Sequence, residues 1–513
     1  MHASSQRIRG SLLPAWGSLG LVLASGVAVG SIGLGALAAR RPELVAGFIV
    51  ISCAAVAYVT LARRVQSWMA LLVFGLLGGY MALNRGFAGI NVPVGQTPLY
   101  VGELGLVLLL GPALREVREK RPGLPFVALG AWMAFNAALT LHDLPQFGIV
   151  AIRDAATWYY GLFGIVGAAV WYRLGEEGVR GLYRALFLVA YAGAMLVMLA
   201  STHVVPSVQV PFSDVALTDF REDAMSVQMI GALAFFLAVE STARRPLPPW
   251  LISLCVAMSV ALVVATLGRG PLVALVGTIA IMASLGLWRR VAFVLLAGAC
   301  LMVVLLVTDV QVETSRGVVS ASSIVDRQSS IFSYLSDGGA ADGDPDAVGT
   351  ITWRVVWWQS LVDEALADPR VLIIGRGYGP DLRDAVSDME GVAGNTSYRQ
   401  GDDVGRPLRS PHNIAMTILA RSGLVGLGLW LFMLGAVGWS VIQRVRVARR
   451  QHDRPREMFG VWLVVYLAGT VLIACFGVLL EGPFAAIPFF CTLGIAVAWA
   501  TGRPPEVSPV KTI

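Results

Sequence analysis

The chain has 513 residues, of which 56% are apolar and 14% charged, and its mean hydropathy is +0.70. A soluble domain is about 45–50% apolar and about 25% charged, so a soluble enzyme, a disordered chain and a disulfide-stapled secreted domain are all excluded. The net charge of +6 comes without basic runs interleaved with aromatics, which argues against nucleic acid as a partner and for charge gathered in the cytoplasmic loops of a membrane protein.

Apolar runs of spanning length fall at 15–39, 43–62, 67–84, 97–114, 124–142, 157–173, 182–200, 224–243, 248–267, 271–288, 291–308, 412–442, 458–478 and 484–501. Each must be helical, because backbone in lipid has to satisfy its own hydrogen bonds. The expected fold is an all-α polytopic membrane protein of about 14 helices, with 12 open if an N-terminal pair does not span. The first run follows Arg7 and Arg9 and reads as a retained span rather than a cleaved signal.

Positive residues orient the chain. With the N-terminus inside, the cytoplasmic segments are Arg63 with Arg64, the loop from Arg115 to Arg121, that from Arg173 to Arg180, Arg244 with Arg245, Arg289 with Arg290, and that from Arg444 to Arg456. Arg40 with Arg41 is the exception. Fourteen spans leave both termini in the cytoplasm and divide the chain into helices 1–11 (residues 1–308), one large outer loop (309–411) and helices 12–14 (412–513).

That loop holds nine Arg and fifteen acidic residues over 310–411. Its segment 353–366 has apolar residues at helical spacing, with Trp357 beside Val356, Leu361 and Leu366, and is expected to be helix lying on the membrane surface. The Asp-, Gly- and Ala-rich stretch 336–349 is expected to be flexible.

Polar groups that a bilayer should exclude carry the information in such a chain. On the outer face they are Arg153 with Asp154, Arg269 in a Leu-Gly-Arg-Gly-Pro turn, Arg354, Arg376 in Gly-Arg-Gly-Tyr-Gly, and Arg406, Arg409 and His412 before the twelfth span. Arg presents a planar fork of donors suited to phosphate. His titrates near neutrality and can accept a proton from a hydroxyl. Together they could hold a lipid diphosphate and activate a sugar hydroxyl without a metal or other cofactor. His142 and His203 read as interfacial polar residues. Glu103, inside the fourth span, should pair with an interior Arg or line a cavity.

Other motifs fail. Asp342, Asp344 and Asp346 resemble a calcium loop, but Ala347 stands where Gly is required and Trp353 where the bidentate Glu should be. The five cysteines lie in apolar spans without metal or redox spacing.

The segment Pro411-His412-Asn413 through Leu419, Gly423 and Gly426 resembles the His-Asn…Leu…Gly-x-x-Gly signature of the O-antigen ligase and O-antigen polymerase family. Trp353-Arg354-x-x-x-Trp358 followed by Gly375-Arg-Gly-Tyr-Gly is similar to that family's large-loop pattern. Leu267-Gly-Arg269-Gly-Pro resembles its Ser-Arg-Gly turn, with Gly268 in place of Ser, and Arg153-Asp154 is similar to an Arg-Asp feature. The resemblance covers roughly 97–442. It implies a GT-C-like glycosyltransferase of the bacterial inner membrane, with its active site facing the periplasm and an undecaprenyl-diphosphate-linked oligosaccharide as donor.

His412 then matches the catalytic general base, and Arg269 and Arg354 the diphosphate-binding arginines. Arg409, Arg376 and Arg153 join the diphosphate site on charge and position. The resemblance leaves open a polymerase that extends lipid-linked repeats, with a chain-length regulator as a candidate partner, and a ligase that transfers glycan to lipid A–core; length and extra spans favour the polymerase. A lipid-linked glycan flippase is the reading from another class, disfavoured by the lack of internal repeats.

Overall fold

The computed structural model describes residues 68–94, 97–120, 123–201, 209–210, 215–217, 219, 221–266, 268–308, 312–314, 317–319, 345–385 and 410–502. The expected spans at 15–39 and 43–62, and the residues His203, Arg406 and Arg409, lie outside them, as does 336–344 of the stretch expected to be flexible.

The described chain is an all-α bundle with two short hairpins. Helix α1 (Trp68–Ala88) leads through the hairpin of β1 (Asn91–Val94) and β2 (Thr97–Tyr100) into α2 (Val101–Arg118). Then come α3 (Leu124–Phe147), α4 (Ile149–Asp154), α5 (Phe163–Ser201), α6 (Glu222–Ala238), α7 (Pro249–Ala265), α8 (Arg269–Met282) and α9 (Trp288–Thr308). Strands β3 (Val312–Thr314) and β4 (Gly317–Val319) pair antiparallel. The series closes with α10 (Pro345–Ala367), α11 (Pro369–Ile374), α12 (Ile414–Arg450), α13 (Arg454–Ala474) and α14 (Pro483–Thr501).

Eight helical runs among the described residues are long and apolar enough to cross a membrane, which makes this a multi-pass membrane protein. The count differs from the expected fourteen for physical reasons. Two expected spans lie outside the described residues; α7 is a shorter apolar helix, and α2, with Pro112 inside it, is not among the eight. Two further pairs are fused into single runs. The run Ile149–Val197 is 49 residues long, about 74 Å as one straight helix at about 1.5 Å per residue against about 30 Å of hydrocarbon.

That run folds back on itself. Gly175 (φ 63°, ψ −176°) interrupts the helix in a conformation that glycine adopts without a Cβ penalty. The two arms then pass the same turn of α14: a Cβ on Gly167 would lie 1.9 Å from the Cys491 carbonyl oxygen, and the Tyr183 hydroxyl lies 2.6 Å from that of Thr492. The expected spans 157–173 and 182–200 are therefore two arms joined by a one-residue break. The run Gly270–Cys300 is broken likewise at Gly286 (φ 92°).

Two helices form the buried core. α6 and α14 are apolar on all sides, as a helix surrounded by protein must be, and nine-tenths of their apolar windows are covered (94% and 89%). Trp132 stacks on Phe490, and Phe187, Phe235, Trp462 and Tyr466 form an edge-to-face cluster between α5, α6 and α13. Peripheral helices keep apolar faces exposed, with Val107, Leu108, Leu431 and Trp439 each more than half accessible, as lipid contact requires.

Within the large loop, α10 covers and extends the segment expected to be helical. Trp357 and Leu361 are buried against Leu382 and Ala420, whereas Leu366 faces out. Residues 345–349, expected to be flexible, form the start of this helix, with Pro345 in its first turn, where a missing N–H costs nothing.

Candidate active site

The candidate site is built around one short arm. α12, expected as an unbroken span over 412–442, breaks at Gly423 (φ 63°, ψ −165°), so that residues 414–422 form a separate helical arm. Gly423 sits against the backbone of Ile373, and Gly375 (φ 79°) against that of Arg421; in each case a Cβ would lie 2.4 Å from a carbonyl carbon. Each positive-φ glycine, packed against backbone next to the other, admits no side chain. The Gly-x-x-Gly part of the signature is thus a hinge between arm and span.

The Gly-Arg-Gly-Tyr-Gly segment ties that arm to α3 and α4. The N–H groups of Arg376 and Gly377 donate to the carbonyls of Ala420 and Arg421 (2.8 and 3.0 Å). The Tyr378 N–H donates to Asp143 (2.7 Å) and its hydroxyl to Asn136 (2.7 Å), while the Gly379 N–H donates to Asp154 (3.1 Å). Arg421 closes the knot, pairing with Asp154 at 2.9 Å and donating to the Pro380 carbonyl at 2.6 Å. Both charged side chains of that pair are buried.

His412 opens the arm. Its φ of 57° is unusual for a residue with a Cβ, and it is held by its neighbours. Its N–H donates to the Ser410 hydroxyl (3.2 Å), and its Nδ1 lies 3.0 Å from the Ser410 carbonyl. Asn413 caps the helix by accepting from the N–H groups of Ala415 and Met416 (2.9 and 3.3 Å). Trp358 of α10 donates to the Pro411 carbonyl at 2.7 Å. A carbonyl at Nδ1 requires the proton there, which leaves Nε2 as the lone-pair nitrogen. The ring is 6% exposed. Burial first, and then the Arg354 and Arg221 guanidiniums, hold its pKa down from 6.5 to about 3, so the imidazole is neutral at physiological pH.

Around it lie groups from four parts of the chain. Arg354 of α10 donates to the Phe476 carbonyl at 3.1 Å. The backbone of Arg269 opens α8, and the adjoining Gly270 is packed against Phe476 (a Cβ there would lie 2.7 Å from the Phe476 Cβ), which places the Arg269 turn beside the Arg354 anchor. Arg221, at the N-terminus of α6, is held by Asn84 (Nδ2 to the Arg221 carbonyl, 2.9 Å) and lies 5.6 Å over the Phe484 ring. Glu481, in the connection between α13 and α14, bonds to the Thr417 hydroxyl.

The structure thus gathers His412, Arg354 and the Arg269 turn. It sets the other candidates apart. Arg376 pairs with Glu364 at 3.1 Å and donates to the Asp381 carbonyl at 2.9 Å, inside the knot. Arg153 is exposed, and its neighbour Asp154 is the residue turned inward to Arg421. Glu103 accepts from the hydroxyls of Tyr159 and Tyr160 (2.9 and 2.8 Å) instead of pairing with an Arg. Among the described residues no group of three His, Cys, Asp or Glu side chains is placed to hold a metal ion.

Sequence reasoning missed Arg221, Glu481 and Arg421. The first two stand just outside apolar spans, a position that resembles any polar flank. Arg421, inside an apolar run, carried the clearer signal, since a charge at such a depth must be paired.

Residues 253–431 match the family model described as O-antigen ligase. The match contains Arg269, Arg354, Arg376, His412 and Gly423, and over this region, about a third of the chain, the sequence is similar to the O-antigen ligase family. No curated protein matches the chain at a significant level.

Proposed function

We propose that this chain, an O-antigen ligase family protein over residues 253–431, is an inverting glycosyltransferase acting on polyprenyl-diphosphate-linked glycan at the periplasmic face of the inner membrane. The observation that carries the reading is His412 buried at the start of the arm with its Nδ1 against the Ser410 carbonyl and with Arg354 and Arg221 bearing on it.

In this reading the lipid diphosphate lies across Arg354, Arg221 and Arg269. The acceptor sugar hydroxyl gives its proton to Nε2 of His412. Its oxygen forms the new bond to the anomeric carbon while the bond from that carbon to the diphosphate oxygen breaks, and the arginines stabilise the charge that develops on the departing diphosphate. The proton stays on His412 until the diphosphate-bearing product leaves. His412 is a weak base in the free protein. The charge of a bound diphosphate opposes that of the two guanidiniums and raises the basicity of His412. Base strength therefore arrives with the donor, which disfavours idle proton uptake in its absence. Arg409 and Arg153 serve at most as outer attraction for the anionic donor.

Length and the number of apolar runs favour a polymerase that joins lipid-linked repeat units; the family description favours the ligase reaction onto lipid A–core as the second reading. Purified protein given lipid-linked repeats alone tests the choice. Chain growth supports the polymerase, transfer only after lipid A–core is added supports the ligase, and no transfer in either case rejects the enzyme.

A further inference from the structure

Glu481 has no part in the signature, yet its Oε1 bonds to the hydroxyl of Thr417, five residues after the histidine. The Ser410 hydroxyl, two residues before the histidine, bears on the same carboxyl. Ser410 in turn accepts the His412 N–H through its hydroxyl oxygen (3.2 Å) and faces Nδ1 with its carbonyl (3.0 Å).

A count of hydrogens bears on the form of the carboxyl. The Thr417 hydroxyl has one hydrogen and two partners, the Asn413 carbonyl at 3.1 Å and Oε1 of Glu481. If that hydrogen goes to the Asn413 carbonyl, beside the Thr417 N–H that closes the helical turn (2.9 Å), the contact with Oε1 needs a proton from Glu481 itself. The surroundings agree. Oε2 is buried and has no hydrogen-bond partner among the described residues, a costly place for a bare charge. Burial raises the pKa of Glu481, against the lowering effects of Ser410, Thr417, Arg221 and Arg421.

We propose that Glu481, as a neutral carboxylic acid, is the positioning residue of the active-site histidine, clamping Ser410 and Thr417 so that the loop holds His412 in its left-handed conformation. The role rests on the reading of His412 as proton acceptor. It implies an alkaline limb: the groups facing Glu481 are Ser410, Thr417 and Arg421 from the arm and Arg221 from α6, and loss of its proton as pH rises removes the donor to Thr417.

The experiment compares Glu481→Gln with Glu481→Ala in the full-length protein. A Gln amide donates to Thr417 and accepts from Ser410 but does not ionise. E481Q should keep kcat within about threefold and lose the alkaline fall, while E481A should lower kcat about 100-fold with donor KM changed less than about threefold, as expected of a misplaced catalytic group. A second readout needs no turnover: modification of His412 by diethyl pyrocarbonate, followed by mass spectrometry. E481A should react about tenfold faster than wild type, through a loosened loop, and E481Q at the wild-type rate.

Wild-type kcat and a wild-type modification rate in E481A overturn the clamp. E481Q as inactive as E481A, with His412 still protected, also overturns it, since the carboxyl would then act through its proton rather than its bonds. Absence of transfer by the wild-type protein together with the expected modification pattern rejects the proposed function and leaves the clamp standing.

Discussion

The two ends of the bundle use arginine differently. At one end, arginines meet carboxylates: Arg449 and Arg454 converge on Glu457 (2.7 and 2.8 Å), Arg184 on Glu240 (2.8 Å) and Arg173 on Glu116 (2.8 Å). At the other end, Arg354 reaches a backbone carbonyl and, with Arg221, bears on a neutral imidazole, while Arg221 and Arg421 bear on a buried carboxyl. The first arrangement neutralises charge within the protein. The second sets two guanidiniums to bear on a lone-pair nitrogen. The Arg421–Asp154, Arg376–Glu364 and Arg383–Asp381 pairs repeat the first arrangement at the second end, and there they build scaffold.

The contrast breaks most sharply at His412. His412→Ala should lower glycan transfer by about 10²–10⁴-fold, the range for losing a general base, while expression, insertion and thermal unfolding stay as in wild type; turnover at the wild-type rate would remove His412 from the chemistry. Next in size is Arg421→Ala, which strands the buried Asp154 carboxylate. It should destabilise the fold by about 3–5 kcal/mol, read as earlier unfolding in detergent, and a wild-type transition would mean that the knot is not structural.

Arg354→Ala and Arg221→Ala should each weaken binding of a polyprenyl diphosphate by about 1.5–3 kcal/mol, the range of a charge-assisted hydrogen bond, with Lys a poor substitute for the planar fork. Unchanged affinity in both would take them out of the site.

The same variants shift a pH profile. Wild-type His412 is neutral above about 3, so its protonation should not limit kcat/KM between about pH 5 and 8, where most proteins are stable. Removing Arg354 removes a lowering influence, so the acid limb should move up in pH. A limb that stays in place would show that the guanidinium does not set the base. The smallest effect belongs to the opposite end: Arg449→Ala removes one of two arginines from Glu457 and exposes little, so stability should change by no more than about 1 kcal/mol, with transfer unaltered.

The parts legible in the sequence share a cause. Helices at 67–84, 124–142, 224–243, 458–478 and 484–501 were readable because lipid forces apolar, internally bonded segments, and length alone then sets the boundaries to within a few residues. The helix over Trp357 and Leu361 was readable by period. Less legible were the places where one residue reverses or breaks a helix. Gly175 and Gly423 stand among many other glycines in the chain, and only the φ each adopts tells them apart. For the same reason the signature's Gly-x-x-Gly reads as sequence pattern until the contact between Gly423 and Ile373 gives it a cause.

The candidate site divides in the same way. His412, Arg269 and Arg354 stood out as charges at one end of apolar spans, and the match over 253–431 includes all three. Arg376 and Arg153 stood out by the same criterion, yet one is engaged by Glu364 and the other faces out. Net charge and side of the bundle cannot separate an arginine that awaits a ligand from one that has a partner, because partners such as Glu364, Asp154 and Glu481 lie 12, 267 and 60 residues from Arg376, Arg421 and Arg421 in turn.

By itself the sequence determined that this is a helical membrane protein, and it marked out one histidine and a few arginines as charges at the ends of apolar spans, because burying charge in lipid is costly enough to leave a pattern in composition. Only the tertiary structure decided which arginines surround that histidine, that Arg221 and Glu481 join it, and that Arg421 holds the scaffold. Those choices depend on short-range contacts between distant segments, which no periodicity along the chain records.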